Sequence, residues 1–553
     1  MKSKINLSLL FILIFGFFVR LVGLNWDQGQ HLHPDERFLT MVLTEISLPA
    51  KFSDYLNPQT SPLNPYNHGF DFFVYGSFPL NLVKVIGQII GQTDYQQIYL
   101  VGRIITVCLD TLVILLIFLI TQKIFNRRFG LAAAFLYSIY VLPIQLSHFF
   151  TTDPFLNFFL ILTFYFLLTK ISPHRCLGLT LAALSYSLAL TSKISAVYFV
   201  PVILLFFIFY FKTNFKHLLT YGLFFSFLVL IFTRFFQPQL FIDNNFLNWS
   251  PNPQFIANLN SLKSYDRNPI YPPAIQWLKT IPIIFPLQNI IFWGLGLPLG
   301  FIFILSLFHY IFFLIKNPSR SNFNLFVIIF WILFLLIVQG LQPVTTVRYF
   351  LPIYPFISII SGAFIYKLIS NKFHLFSRPV IKIIFVASLL IYPFLFISIY
   401  FKDHSRVAAS KWIYQHLPLG STIAVEYWDD ALPLSIGDSL SSDYQYQLLH
   451  VADYPDTETK FNHLLDQLTA SDYLILSSNR FYQPIPKNSD VFPYTSAYYQ
   501  SLFNGDLGFS KIAEFTSYPC FFSFCLVDDS AEEAFTVYDH PKVIIFKKTV
   551  PSF

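Results

Sequence analysis

The segment His31–Arg37 (His-Leu-His-Pro-Asp-Glu-Arg) concentrates side chains that could do chemistry. The carboxylate of Asp35 could take a proton from a hydroxyl group, and Arg37 could bind a phosphate. Glu36 could orient Asp35, bind a metal or cap a helix. A polar loop after an apolar run is common, and an adjacent Asp-Glu pair carries little weight by itself. The position of this cluster, directly after the first apolar run, makes it a stronger candidate for a functional site than the residue pair alone would be.

Histidines next to the carboxylates raise the question of a metal. His31 and His33 with Asp35 and Glu36 could supply nitrogen and oxygen ligands. The histidines could equally bind water, an acceptor or a phosphate, and we expect no metal or other cofactor. The candidates for substrate binding are His33, together with His148 and Tyr75. Each of these side chains could instead have only a packing role.

The composition indicates a membrane protein. Of 553 residues, 55% are hydrophobic and only 12% are charged, against about 25% charged residues in soluble domains. Long apolar runs fill residues 1–401, whereas residues 402–553 are mixed and polar. The first part carries 26 basic and 11 acidic residues, and the second carries 10 and 19. The net charge of +6 therefore averages two opposite halves and gives no reason to expect nucleic acid.

The apolar runs predict about eleven membrane spans, since about 20 apolar residues cross the hydrocarbon core. The first run has no small-residue cleavage site, so we interpret it as a retained span. The predicted spans are 5–24, 97–122, 130–148, 154–170, 176–192, 195–212, 217–236, 288–315, 323–340, 349–367 and 382–401.

Basic residues in short loops predict the orientation. With the N-terminus in the cytoplasm, every acidic residue of the first part except Asp110 falls on the outer side. The odd number of spans then places the C-terminal domain outside, and residues 25–96 and 237–287 become long outer loops. The inner loops contain Lys2, Lys4, Lys123, Arg127, Arg128, Lys170, Arg175, Lys212, Lys216, Lys316, Arg320, Lys367, Lys372, Arg378 and Lys382.

The C-terminal domain, residues 402–553, has the alternation of an α/β domain. Helices are predicted at 407–417 and 461–468, and strands at 422–425, 473–476 and 543–546. Cys520 and Cys525 could form a disulfide outside the cytosol or remain thiols.

Four motifs resemble the GT-C superfamily of glycosyltransferases, in particular the protein O-mannosyltransferase and aminoarabinose transferase branch. They are Asp35-Glu36 in the first outer loop, Asp153 after the third span, Lys193 in Thr191-Ser192-Lys193, and Arg348-Tyr-x-x-Pro-x-x-Pro. All four fall on the outer side in the topology predicted from charge. The resemblance covers roughly residues 5–400.

The resemblance implies an integral membrane glycosyltransferase. It would transfer a sugar from a polyprenyl-phosphate donor to an extracytoplasmic acceptor with inversion, and Asp35 would be the general base. The acceptor could be a protein, a lipid or a glycan. Further implied catalytic residues are Glu36 and Asp153, although Asp153 could instead cap the helix that begins there.

Donor phosphate binding requires cations at a water-poor site. The candidates are Lys193, Arg348, Arg37 and Arg103. Relatives in the aminoarabinose branch carry an Arg two residues after the Glu, where this sequence has Phe38. Arg37 is one position earlier and would point elsewhere on a helix, so Lys193 and Arg348 are the stronger candidates.

Two other classes of function remain open. A transporter or flippase of a lipid-linked glycan would carry functional charges throughout its spans and on both faces, but ionisable residues within the predicted spans are few. A non-catalytic membrane anchor would use the C-terminal domain as a binding module and would not need Asp35, Lys193 or Arg348.

Overall fold

The structure is a computed structural model that describes residues 7–170, 176–211, 214–267, 270–370 and 378–549. The loop cations Lys2, Lys4, Arg175, Lys212 and Lys372 lie outside the described residues. The helices of the first part are α1 Leu7–Leu21, α2 Pro34–Glu45, α3 Phe52–Leu56, α4 Ser77–Ile90, α5 Tyr95–Ile124, α6 Arg127–Ser138, α7 Val141–Ser147, α8 Thr152–Lys170, α9 Cys176–Leu190, α10 Val200–Phe211, α11 Phe215–Phe236, α12 Pro253–Arg267, α13 Ile284–Asn289, α14 Leu297–Lys316, α15 Phe323–Gly340, α16 Tyr354–Ser370 and α17 Pro379–Ile397.

The helical, polytopic class is confirmed, but the number of eleven spans is not. In the described ranges, eight helical segments are long and apolar enough to cross a membrane, and α6 with α7 makes a ninth if this pair, bent by 59°, is one span. The predicted spans 5–24 and 176–192 correspond to α1 and α9, of each of which the structure describes 15 residues, so neither is counted among these eight. Crossing about 30 Å of hydrocarbon requires about 20 residues.

The long helix α5 lies at the centre of the first part. Its Asp110 accepts hydrogen bonds from Arg20 of α1 and from Tyr137 of α6, each at 2.6 Å. An intramembrane charge is costly unless it is paired within the protein. The ion pair between Arg20 and Asp110 therefore holds α1 against α5 and gives both charges a structural partner.

The C-terminal domain is an α/β unit, as predicted. Its main sheet has the order β2-β1-β3-β7-β4, in which β1 is parallel to β2 and β3, and β7 is antiparallel to β3 and β4. The elements are α18 Ser405–His416, β1 Thr422–Glu426, β2 Gln445–Leu449, α19 Glu458–Thr469, β3 Tyr473–Leu476, α20 Pro484–Lys487, α21 Pro493–Asn504, β4 Phe509–Phe515, β5 Cys520–Phe521, β6 Phe524–Cys525, α22 Glu533–Thr536 and β7 Val543–Lys548.

The predicted strands are the three inner strands β1, β3 and β7, whereas the edge strands β2 and β4 were missed. An edge strand exposes much of its surface, so its sequence lacks the continuous apolar run of a central strand. The β4 sequence, Phe-Ser-Lys-Ile-Ala-Glu-Phe, is an example, since most of its side chains are exposed or only partly buried.

One segment of the C-terminal domain packs against the membrane helices. Phe535 and Tyr538 belong to the same buried apolar cluster as the helical core. Gln145 of α7 donates to the Phe535 carbonyl at 2.7 Å, and Tyr400 donates to Asp539 at 2.9 Å. These contacts bring residues 532–540, which we call the roof segment, to the end of the helical part where α2 begins.

Candidate active site

Asp35 lies in the first turn of α2, where it is paired with Arg348. His33 is the N-cap of this helix, and its Nδ1 accepts from the Glu36 amide at 3.4 Å. The Asp35 carboxylate accepts from Arg348 Nη1 at 2.5 Å and from the Tyr75 hydroxyl at 3.1 Å. Asp35 and Arg348 each retain about a fifth of their side-chain exposure (20% and 19%). The structure thus joins three predicted site residues in one partly accessible group.

The charge environment keeps Asp35 ionised. Burial by itself would raise the pKa of its carboxyl, but the Arg348 guanidinium, with a smaller contribution from Lys193, holds this pKa well below its ordinary value. Since Asp35 is ionised, it has lone pairs that could accept a proton. While it is paired with Arg348, however, it is a weak base.

A second ion pair lies next to the first. Lys193 Nζ donates to Asp153 Oδ1 at 2.7 Å, and Asp153 is in the first turn of α8. Lys193 Nζ lies 4.6 Å from the centre of the Tyr349 ring, and the guanidinium carbon of Arg348 lies 5.5 Å from the same centre. The two cations that the sequence favoured as phosphate ligands therefore both lie close to the Tyr349 ring.

A cavity of about 250 Å³ opens at the second ion pair. Asp153, Lys193 and Tyr349 form its charged and polar corner. The rest of the lining includes apolar side chains of α8 and α15, among them Leu160 and Trp331, and the polar side chains of Gln339 and Gln342. A largely apolar cavity with a lysine–aspartate ion pair at one corner suits a molecule with a charged group attached to an apolar chain.

His33 is buried beside Asp35. Its ring packs on Phe149 at 4.6 Å and on Tyr538 of the roof segment at 4.3 Å. Burial lowers the pKa of His33 to about 4, so the imidazole is neutral at pH 7. Its Nε2 is buried and has no hydrogen-bond partner among the described residues.

Glu36 and Arg103 are bonded to each other and are fully buried. Arg103 Nε donates to Glu36 at 2.9 Å, and its Nη atoms donate to Asp27 at 3.0 and 3.1 Å. Glu36 also accepts from the Phe150 amide at 2.7 Å. Both side chains were predicted at the site, Glu36 as a catalytic carboxylate and Arg103 as a phosphate ligand. The structure places neither where a substrate could touch it, and this cluster instead fixes α2 against α5.

Two further predicted residues also point away from the site. Arg37 donates to the His31 carbonyl at 2.8 Å and to Asp430 of the C-terminal domain at 2.7 Å. Both ring nitrogens of His148 lie 2.8 Å from backbone carbonyl oxygens, those of Ile144 and Val22. Arg37 therefore links the two parts of the chain, and His148 is held by backbone.

Sequence reasoning missed the contribution of the roof segment. Glu532 accepts from the amide of Val347, the residue before Arg348, at 2.9 Å, and burial raises its pKa to about 8. Tyr538 packs on His33. No local pattern in the sequence indicates these contacts, because they join residues about 190 and 500 positions apart.

No group of three or more His, Cys, Asp or Glu side chains in the described parts of the chain is arranged to hold a metal ion. His33 is engaged as the N-cap of α2, and Glu36 is taken by Arg103.

Comparison with known proteins gives one family match and several similar structures. Residues 82–234 match the family described as dolichyl-phosphate-mannose-protein mannosyltransferase. The oligosaccharyltransferase AglB from Archaeoglobus fulgidus, in complex with an inhibitory peptide and a dolichol-phosphate, is 13% identical over 95% of this chain and 76% of its own, with a TM-score of 0.53. The apo form of the oligosaccharyltransferase from the same organism is 12% identical over 90% and 73%, with a TM-score of 0.52.

A weaker similarity is found to ArnT from Cupriavidus metallidurans bound to undecaprenyl phosphate, which is 14% identical over 74% of this chain and 72% of its own, with a TM-score of 0.41. No curated protein sequence matches the chain.

The chain is thus a polytopic membrane protein with the GT-C fold, and the predicted resemblance to that superfamily is confirmed. The stretch that matches the mannosyltransferase family model, residues 82–234, contains Asp153 and Lys193.

Proposed function

We propose that this protein is a glycosyltransferase that moves a sugar from a polyprenyl-phosphate donor to an acceptor on the extracytoplasmic face of the membrane, with inversion. The observation that carries this proposal is the pair of neighbouring ion pairs, Asp35 with Arg348 and Asp153 with Lys193, whose two cations both lie close to the ring of Tyr349. The AglB structure of the same fold contains a dolichol-phosphate, which supports a lipid phosphate as the carrier here.

Arg348 and Lys193 would bind the donor phosphate. In the transfer, the sugar–phosphate bond breaks and the phosphate takes the electron pair, so negative charge grows on its oxygens. Fixed cations at a site with little water stabilise that charge most strongly, and Arg can do so through two parallel hydrogen bonds. Because the leaving phosphate is already ionised, no strong acid is needed to protonate it.

Asp35 would be the general base for the acceptor. Arg348 lowers its basicity in the unliganded site, so donor binding and base activation are linked through one guanidinium. When the donor phosphate takes hydrogen bonds from Arg348, the hold on Asp35 weakens and its pKa rises toward the range of an effective base. The acceptor oxygen then attacks the anomeric carbon as its proton passes to Asp35, and one direct displacement gives inversion.

The sidedness of the site follows from the loop charges. Lys123, Arg127 and Arg128 flank the end of α5 that is remote from Asp35, and basic loops of this kind stay in the cytoplasm. The site and the C-terminal domain then lie outside. The disulfide between Cys520 and Cys525 supports an extracytoplasmic location of the C-terminal domain, since such bonds persist in oxidising compartments.

The test is transfer by the full chain in proteoliposomes, with a radiolabelled polyprenyl-phosphate sugar and lipid, peptide and glycan acceptors. We expect a labelled glycoside from the natural chain and from Asp94→Asn, which changes an exposed carboxylate. Asp35→Asn should give none while it remains folded by thermal unfolding. Donor movement across the bilayer without any glycoside would overturn the proposal in favour of a flippase.

A further inference from the structure

A short hairpin of the C-terminal domain presents an apolar tip. Strands β5 and β6 are closed by the disulfide between Cys520 and Cys525. The three phenylalanines of the tip, Phe521, Phe522 and Phe524, are 67%, 89% and 62% exposed. Residues 519–527 include no charged residue. Single exposed apolar side chains are normal on a protein surface, but a group of three large ones marks an interaction surface.

The hairpin lies against the end of a membrane helix. The Cys520 amide donates to Ser398 Oγ at 2.9 Å, and Ser398 is the residue that follows α17. Ile391 and Phe394 on α17 are exposed, and so is Phe401 in the 3₁₀ turn after it. Exposed apolar side chains are therefore found both at the end of this span and on the hairpin that is bonded to it.

Charged groups of both signs lie near the base of the hairpin, namely the lysines Lys402 and Lys542 and the carboxylates of Asp528 and Asp529. Lys402 Nζ donates to the carbonyl of Tyr518 at 3.1 Å, two residues before the disulfide begins. Lys542 is paired with Asp529, which follows the hairpin closely. Aromatic side chains with nearby lysines are typical of segments that lie at the boundary between lipid headgroups and acyl chains.

We propose that the tip Phe521–Phe524 inserts into the outer boundary of the bilayer beside α17 and anchors the C-terminal domain there. A lipid surface is the occupant because the hairpin is bonded to the end of a span, where a bilayer must already be present. The roof segment begins only a few residues after the hairpin and reaches His33. Anchoring the hairpin would therefore hold the roof segment over the site, although the anchor itself does not depend on the proposed reaction.

Photo-crosslinking tests the anchor directly. A benzophenone side chain would replace Phe522 in the full chain, reconstituted in vesicles of phosphatidylethanolamine and phosphatidylglycerol. Phe394, on α17, is the control that faces lipid. Leu419 is the control expected to face water, because it is 71% exposed and lies before the start of β1. The other end of β1 leads to Asp430, which contacts Arg37 at the membrane part, so Leu419 lies at the end of the strand that is away from this contact.

We expect lipid adducts, detected by mass, at positions 522 and 394, in yields about tenfold above those at position 419. A yield at position 522 no higher than at position 419 would overturn the proposal. Adducts to a second protein chain in place of lipid would overturn it as well, because the tip would then be a protein interface. All three positions are exposed, so the substitutions leave the core intact.

Discussion

Arg348 donates a hydrogen bond to Asp35 at 2.5 Å although 313 positions separate the two residues. The pair joins the first turn of α2 to the 3₁₀ segment Val347–Ile353 that leads into α16. A candidate base and a candidate phosphate ligand therefore neutralise each other in the unliganded protein. If an anion that binds Arg348 competes with Asp35, removing the carboxylate should affect binding and transfer differently.

Asp35→Asn should abolish transfer and leave lipid-phosphate binding intact or tighter. The amide cannot take a proton, and removing a general base typically costs 10² to 10⁴ in rate. The same change releases Arg348 from its carboxylate, so the affinity for the phosphate should not fall. Transfer rates and binding of the polyprenyl phosphate alone measure the two effects. Weaker binding in this variant would mean that the carboxylate positions Arg348 instead of competing for it.

Arg348→Lys should weaken lipid-phosphate binding even though it keeps the charge. Lysine cannot make the two parallel hydrogen bonds of a guanidinium, and a hydrogen bond to a charged group contributes about 1.5–3 kcal/mol, or roughly a tenfold to hundredfold change in Kd. The measurement is a binding titration with polyprenyl phosphate. Arg127→Lys, at an exposed position, serves as the matched control, and equal affinity in both variants would exclude Arg348 as a phosphate ligand.

Arg103→Met should destabilise the protein. The change leaves the carboxylates of Asp27 and Glu36 buried without their cation, and breaking a buried ion pair in this way costs about 3–5 kcal/mol. Thermal unfolding in detergent against Arg127→Met gives the comparison. If Arg103→Met were as stable as that control but no longer bound the lipid phosphate, the phosphate role implied by the family resemblance would be right and the structural role wrong.

High pH should loosen the roof segment. His540 contacts Asp539 at 2.5 Å and Asp528 at 2.9 Å. Burial would lower its pKa, but these carboxylates outweigh it and raise the pKa from 6.5 to about 10. Because the folded pKa is above the unfolded value, the stabilisation is complete below pH 6.5 and is lost as the pH rises through about 10.

The measurement is thermal unfolding of the natural chain and of His540→Gln between pH 6.5 and 10. We expect the natural chain to lose stability over this range and the variant, which lacks the His540 titration, to lose less; Glu532, whose pKa burial raises to about 8, titrates in both proteins. Parallel profiles for the two proteins would show that His540 is not the group responsible.

The sequence alone determined the class of protein and the order of its motifs. Apolar runs about 20 residues long can be satisfied only as membrane helices, so α5, α8, α11 and α15 were predictable from local composition. The inner strands β1, β3 and β7 were predictable for a similar reason, because burial on both faces leaves an apolar run. Asp35, Asp153, Lys193 and Arg348 were selected together by their order and by one predicted side of the membrane.

Only the tertiary structure decided which charges pair with which. Arg103 and Arg348 look alike in the sequence, yet Arg103 is fully buried between Asp27 and Glu36, whereas Arg348 meets Asp35 at an accessible position. The bend between α6 and α7 and the contact of the roof segment with His33 could not be predicted from the sequence either. A buried charge is stable only when it is paired with an opposite charge or a hydrogen-bonding group. In this protein those partners lie on elements that are distant in the sequence, so a local sequence pattern cannot predict them.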